Sequence, residues 1–502
     1  MEYAIAVIDI GMTNKKVAVY DNDLNQLDAK YQSFAPKMIN GLETHDLESM
    51  ETWFIVCLKD FAARYPIKTL AVTTHGATFV CTGKEGKPAL PCVYYTHEPG
   101  EDFHRRFYEQ FGKAEELQQR TGTPAFKAMI NPAKGLFFVK ERFPDLFGSI
   151  TGILPYPQYW GMRFTGKTGV EGTFMGNHTY LWDQIDNTLS SVARDLGIGS
   201  LVPDKLCNSW DVLGALTVEF AEKTGLPKET VVAMGIHDSN SALLPHFAKK
   251  GERGFILNST GTWCVIMNPV ERYGFAPDEL GKVVLFNISA FGKPVKTAIF
   301  LGGLEFETWS RLIMKHHNRT DIPGWNEGLY RSILKEKKLF LLPELTPGSG
   351  QFPASRARVV DNETDYSFEK IESEAFPPCF ADYETAFAIL RISLVMQTLT
   401  ALERTGLQKG NEIYTEGGFR KDLSYNRLLS SVFPDSRVFL TDIAEATALG
   451  AAMTAKMAFT GKSLSDLAAD FEIDYREVEK QAFPELVSYR KEWLLKAGAA
   501  EK

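Results

Sequence analysis

The strongest constraint on this chain is a unit that it contains twice. AIAVIDIGMTNKKVAVYD, Ala4 to Asp21, sets two apolar, β-rich runs around a short polar loop. FILNSTGTWCVIMNP, Phe255 to Pro269, repeats that form half a chain later. Each reads as strand, tight loop, strand. A plain hairpin has this pattern, and so does a loop built to hold a phosphate; either unit alone leaves both open. Two of them point to two related domains, each offering a small-residue loop to a shared cleft. At 502 residues the chain is too long for one core, which suits that division.

The residues in and between the units say what such a cleft could hold. Gly11 lets backbone approach a ligand closely, and Thr13 and Asn14 add hydroxyl and amide donors. Asp9, at the end of a buried strand, needs a partner: a Mg2+ ion carried by a nucleotide, or backbone amides that it caps. In the second loop Ser259, Thr260, Gly261 and Thr262 suit phosphate oxygens, or form an ordinary turn. Between the units, TVVAMGIHDSNSALL reads as a strand running into a helix, with Asp238 at the junction where α/β folds place ligand-contacting groups. Asp238 is suited to take a proton from a substrate hydroxyl and to orient a metal-bound phosphate, or to cap its helix. His237 beside it is either a substrate contact or a satisfied interior histidine. Farther on, Gly417 and Gly418 at a strand end leave a planar ligand room against the backbone, with Asn426 on the next helix in reach of a base edge or on a solvated face. The small residues of EATALGAAMTAK, Glu445 to Lys456, point to close helix packing.

Short strands such as AIAVIDI, TLAVTTHG and PALPCVYY alternate with helical stretches, so the class is α/β. The basic stretch KKGERG, Lys249 to Gly254, sets the expected boundary between domains 1–249 and 250–502. The tail from Gly461 on is charged and helical, and its end, LLKAGAAEK, is expected to fray. A net charge of -8 argues against a general nucleic-acid binder but not against a nucleotide ligand. Six cysteines without a C-x-x-C pair, and an N-terminus with no room for a signal segment, lead us to expect a cytoplasmic protein. The most apolar stretch, Tyr383 to Leu402, contains Glu384 and Arg391 and reads as a buried helix. PYPQYWGMRF, Pro155 to Phe164, reads as core and His316-His317 as a solvated face. Zinc-protease and esterase motifs are absent from the sequence.

In order along the chain, Asp-x-Gly-x-Thr-Asn, strand–His-Asp–helix, Ser-Thr-Gly-Thr-Trp, Gly-Gly–helix–Asn and Glu-Ala-x-Ala-Leu-Gly-Ala-Ala closely resemble the FGGY carbohydrate kinases. THGATF, with His75 and Gly76, looks like the sugar-side loop of xylulose kinases in that family. The resemblance implies two actin-like (ribonuclease-H-like) domains with a nucleotide cleft between them. It implies Asp238 as the catalytic base, with His75, Gly76 and His237 as sugar contacts. Asp9 and Asp238 would face Mg2+. ATP would lie on Gly11, Thr13, Asn14, Thr260, Gly261 and Thr262, with its adenosine at Gly417, Gly418 and Asn426. Expected partners are a small sugar and ATP, with no nucleic acid or membrane; a homodimer is open. YYTHEPGEDF, Tyr94 to Phe103, lacks the Asp-x-Arg that many members carry there, and Leu429-Ser430-Ser431 replaces a frequent Ala-Asp pair. Substrate cues divide: Gly-Thr-Trp and Gly-x-His-Asp look like rhamnulose kinases, His75-Gly76 like xylulose kinases. A ketose is common to both, a 6-deoxy ketose is preferred, and a protein-partnered actin-like ATPase is the rival from another class.

Overall fold

The structure, a computed structural model, describes residues 2–498 apart from 204, 433, 434 and 444. Its first sheet begins with an antiparallel meander of β1 (Ala4–Ile10), β2 (Asn14–Asp21) and β3 (Gln26–Ser33). Helix α1 (Leu47–Ala62) then leads into β4 (Ile67–Thr74), which lies parallel to β1. β5 (Val212–Ala215), β6 (Val231–Ala233) and the two-residue β7 (Ile236–His237) extend the sheet past β4. Both faces of β1 are covered, as its uninterrupted run of Ala, Ile and Val requires.

The second sheet repeats the plan. β8 (Phe255–Thr260), β9 (Cys264–Pro269), β10 (Val284–Ile288) and β11 (Pro294–Phe300) are antiparallel neighbours. β12 (Glu412–Gly417) runs parallel to β8, and β13 (Arg437–Thr441) parallel to β12. In each sheet the first strand sits between its hairpin partner and the next parallel strand, the actin-like arrangement expected. The two repeated units are the two central hairpins. Their loops, 11–13 and 261–263, have the same three-residue length.

Two helices cross between the sheets. α2 (Asp238–Lys250) leaves the first sheet at β7, and α3 (Ala446–Thr460) follows β13 of the second. Pro245 lacks the N–H that would bond the Ser241 carbonyl, and Gly450 faces that freed oxygen: a Cβ on Gly450 would lie 1.9 Å from it. The small residues of Glu445–Lys456 therefore serve close packing, as expected. α3 also reaches the first sheet, where Thr69 donates to the Ala455 carbonyl (3.1 Å). One apolar cluster joins Ile5, Val7 and Ala71 of the first sheet to Leu257, Tyr414 and Phe439 of the second through both helices.

Several expectations need correction or find their place. PALPCVYY forms no strand; its pairing is limited to isolated bridges at Pro88 and Val93, because its prolines interrupt a ladder. The tail does not fray up to residue 498: β14 (Tyr475–Glu477) pairs with β13, and α4 (Glu485–Lys496) buries Tyr489 and Trp493. Residues 499–502 of the expected frayed end lie outside the described residues. His316 is exposed and stacks on Phe376, but His317 is half-buried and meets the Phe380 carbonyl at 2.7 Å. The Tyr383–Arg404 helix is apolar and long enough to cross a membrane by length and composition, yet its most apolar window is entirely buried in the core.

Candidate active site

Asp9 and Asp238 form the centre of the site. Asp9 is the penultimate residue of β1, and Asp238 opens α2 directly after β7. Burial and then the Asp238 charge hold the Asp9 carboxyl well above its ordinary value, against a smaller opposing effect of Lys16. Asp238 is pushed up to about 6, mainly by burial, although its side chain keeps 31% of its exposure to the cleft. The Ser239 amide (2.6 Å) and hydroxyl (3.2 Å) donate to it and limit that rise. Lys16 is held elsewhere, by Gln26 Oε1 (2.8 Å) and by Glu445 at the start of α3. Two mutually repelling carboxylates with no lysine between them form an all-oxygen donor pair suited to Mg2+, which takes one or two carboxylates plus phosphate oxygens.

Imidazoles line one side of Asp238. A Cβ on Gly76 would lie 2.6 Å from His178 Nε2 and 2.7 Å from His237 Nε2, so only glycine fits there. His178 Nδ1 faces the Ile130 carbonyl (3.0 Å), which places its proton there and leaves Nε2 as an acceptor. Burial lowers both His178 and His237 to about 3, so both rings are neutral. His75 is buried beside Tyr95 and Tyr156, with Nε2 3.2 Å from the Thr78 hydroxyl and Nδ1 unpartnered. His237 is not an open sugar contact: Nδ1 accepts from the Ser239 amide (3.2 Å), Nε2 lies 2.7 Å from the Asn177 amide, and its backbone N–H donates to Thr173. The interior alternative for His237 therefore holds.

Asn177, His178 and Tyr95 escaped sequence reasoning. The first two follow the short helix α5 (Gly172–Met175), which the buried Glu171 caps through Thr173 and Phe174 amides. Tyr95 lies in the departing segment Tyr94–Phe103 and near enough to Asp238 for its charge to raise the phenol, after burial, to about 12. Only its place inside an atypical segment could have signalled it.

The second loop borders a cavity of about 680 Å³ lined by Thr260, Gly261, Thr262, Gly303, Trp325 and Gly418, among others. Gly303, near the N-terminus of the 16-residue helix Gly302–His317, presses on that loop: its missing Cβ would lie 1.9 Å from the Gly261 carbonyl. The N-terminus of that helix thus abuts the second loop at the edge of the cavity. Gly261 and Thr262 are exposed and line it, Thr13 and Asn14 on the first loop are exposed outside it, and Thr260 is not free. Its hydroxyl donates to the Glu416 carbonyl and accepts from the Phe419 amide (2.9 Å). Gly417 takes φ 77° and Gly418 lines the cavity. Asn426 is a correction: it is fully buried, and its amide nitrogen donates to the Phe419 (2.7 Å) and Asp422 (2.9 Å) carbonyls. It supports the turn beneath the cavity and presents no donor to a base. Ile322, Pro323 and Trp325 supply apolar walls that the sequence reading did not identify, with Arg427 over the Trp325 ring (5.6 Å).

The profile of the FGGY family of carbohydrate kinases, N-terminal domain, matches residues 4–245, and that of the carbohydrate kinase FGGY, C-terminal domain, residues 252–463. A rhamnulokinase of Halalkalibacterium halodurans is 25% identical over 276 residues, 53% of this chain and 56% of that relative. An L-fuculokinase of Salmonella typhi is 22% identical over 52% of this chain and 56% of its own. The chain thus matches about half the length of these curated relatives. The solved structure of a carbohydrate kinase from Novosphingobium aromaticivorans superposes with a TM-score of 0.81 at 27% identity, covering 99% of both chains. A xylulose kinase from Lactobacillus acidophilus has a TM-score of 0.79 at 15% identity, over 99% of this chain and 97% of its own, and shows the shared fold.

Proposed function

Because the chain belongs to the FGGY family of carbohydrate kinases, we propose that it transfers the γ-phosphoryl group of ATP to a hydroxyl of a ketose, with a 6-deoxy ketose such as rhamnulose preferred. The observation that carries this reading is Asp238: a carboxylate raised to about 6, flanked by neutral imidazoles and facing Asp9. A base of that strength can take a hydroxyl proton near neutral pH. The relatives named as rhamnulokinases and L-fuculokinase favour the 6-deoxy ketose. The His75-Gly76 segment favours a xylulose-type ketose as the second reading.

In this reading Asp238 accepts the proton of the attacking hydroxyl, while His178 Nε2 and Tyr95 orient the sugar. His237 and Asn177 hold the wall behind them. Thr13, Asn14, Gly261 and Thr262 receive the phosphates, and the cavity beyond Gly418 receives adenosine. Asp9 and Asp238 would hold Mg2+, which supplies positive charge against the phosphoryl oxygens. The domains are 1–249 and 250–502, and their closure keeps water from ATP. An ATP-consuming enzyme with six unpaired cysteines is placed in the cytoplasm.

Sugar-stimulated ADP release, screened over ketoses, aldoses and polyols, tests the reading and ranks the substrates. ADP release that no sugar stimulates would favour the ATPase rival instead. Asp238→Asn is expected to abolish transfer and to keep ATP binding; turnover retained in that variant refutes the base assignment.

A further inference from the structure

Glu416, the residue before Gly417, is 4% exposed and points away from the nucleotide cavity. Its Oε1 accepts from His246 Nε2 (2.8 Å) and from the Thr441 hydroxyl (2.9 Å). His246 is fully buried on α2, the helix that Asp238 opens, and its Nδ1 meets the Tyr475 hydroxyl at 3.1 Å. Its ring also stacks on Tyr414 of β12, with centroids 5.1 Å apart. The main chain of Glu416 faces the other way: its carbonyl accepts the Thr260 hydroxyl, which in turn accepts the Phe419 amide. One residue thus touches the base-bearing helix through its side chain and the second phosphate loop through its backbone.

We propose that Glu416 is a positioning residue: through His246 it ties the helix carrying Asp238 to the second phosphate loop and the Gly417-Gly418 turn. Asp238 and His246 are eight residues apart on one helix, roughly 12 Å along its axis. A helix of that length transmits a shift at His246 to Asp238. Removing Glu416 leaves His246 Nε2 buried without its acceptor, and removing His246 leaves Glu416 held by the Thr441 hydroxyl alone, and either loss favours a shift of one element against the other. Phosphoryl transfer depends on alignment, and a displacement of about 1 Å costs on the order of 100-fold in rate. The link is independent of the side chains that face ligand, and it rests on the kinase reading above.

Parent, Glu416→Ala, Glu416→Gln, His246→Ala and the double alanine variant are compared for kcat, for KM of ATP and of the sugar, and for the ATP-analogue-induced rise in Tm. His246→Ala is expected to lower kcat about tenfold while KM for ATP stays within about threefold, since the loop itself is intact. Glu416→Ala is expected to lower kcat similarly and to raise KM for ATP as well. Glu416→Gln keeps an acceptor oxygen and is expected to recover most of kcat. The double variant is expected to be no worse than Glu416→Ala alone, as partners in one contact are non-additive. His246→Ala with kcat within about twofold of the parent overturns the proposal, and this variant decides the matter if Glu416→Ala does not fold. A parent that turns over no sugar refutes the kinase reading separately. The Tm readout then still applies: Glu416→Ala should lose the nucleotide-induced rise, and a rise in Glu416→Ala equal to the parent's overturns the link.

Discussion

Gly417→Ala is the sharpest test of the nucleotide side of the site. Gly417 sits at φ 77°, and a Cβ there would lie 2.0 Å from the Thr260 carbonyl oxygen. With ψ at −145° this is a conformation open essentially to glycine alone, and it costs an alanine about 1–3 kcal/mol. The contact is with backbone at the end of β8, so it cannot be relieved by turning a side chain. Thr260 and Gly417 are paired in register, and separating them from 2.0 Å to an ordinary contact of 3.4 Å needs a shift of about 1.4 Å. Strain and repacking together place the loss of stability at roughly 2–4 kcal/mol, a Tm lower by roughly 5–10 °C. The same shift moves Gly261 and Thr262, so kcat/KM for ATP should fall about 10- to 100-fold. Differential scanning fluorimetry and ADP release read the two effects. Gly418→Ala is the control for stability, because its Cβ would lie 3.7 Å from the same oxygen without a positive φ; its Tm should stay within about 2 °C of the parent. A Gly417→Ala protein that melts with the parent and keeps its KM for ATP refutes the geometry argued here.

Two further outcomes follow from the same structure. With Asp238 raised to about 6, it is protonated and inactive as a base below that pH, so kcat/KM should rise through about pH 6. Mg2+ favours the ionised carboxylates, so raising its concentration should move that limb to lower pH; a limb indifferent to both Mg2+ and Asp9→Asn speaks against the metal assignment. The stabilising effect of these raised carboxyls is complete below their ordinary value near 3.8 and is lost as pH rises through about 6 for Asp238 and about 7 for Asp9, so Mg2+ should raise Tm more at pH 8 than at pH 5. Gly450→Ala forces a methyl onto the Ser241 carbonyl where α2 and α3 cross. It should cost about 1–3 kcal/mol and lower kcat with it, since α2 carries Asp238; unchanged melting shows that the crossing relaxes freely.

Much of the site was legible because it depends on local backbone chemistry. The two hairpin units, their Gly and Thr loops, the strand-to-helix junction at Asp238 and the Gly417-Gly418 turn are all written in short stretches of sequence, and each lies where its pattern placed it. The small residues of Glu445–Lys456 likewise announced a close crossing. Which helix they cross, and that Pro245 frees the carbonyl they cover, depends on how distant segments meet.

Side-chain roles were less legible, because a polar group is open to a ligand only if no neighbour has already satisfied it. His237, Thr260 and Asn426 have the residue types of ligand contacts, but tertiary neighbours occupy their hydrogen-bonding atoms. Tyr95, His178 and Asn177 come from segments without a motif, and the first two reach Asp238 and the third His237 only through the folded chain. The sequence by itself determined the fold class, the two Gly- and Thr-bearing hairpin loops and the strand-to-helix junction at Asp238, since periodicity and glycine placement are local properties. The tertiary structure alone decided which groups face the cleft and how the two halves are joined at His246 and Glu416, because burial and partnership arise from contacts across 170 positions of chain.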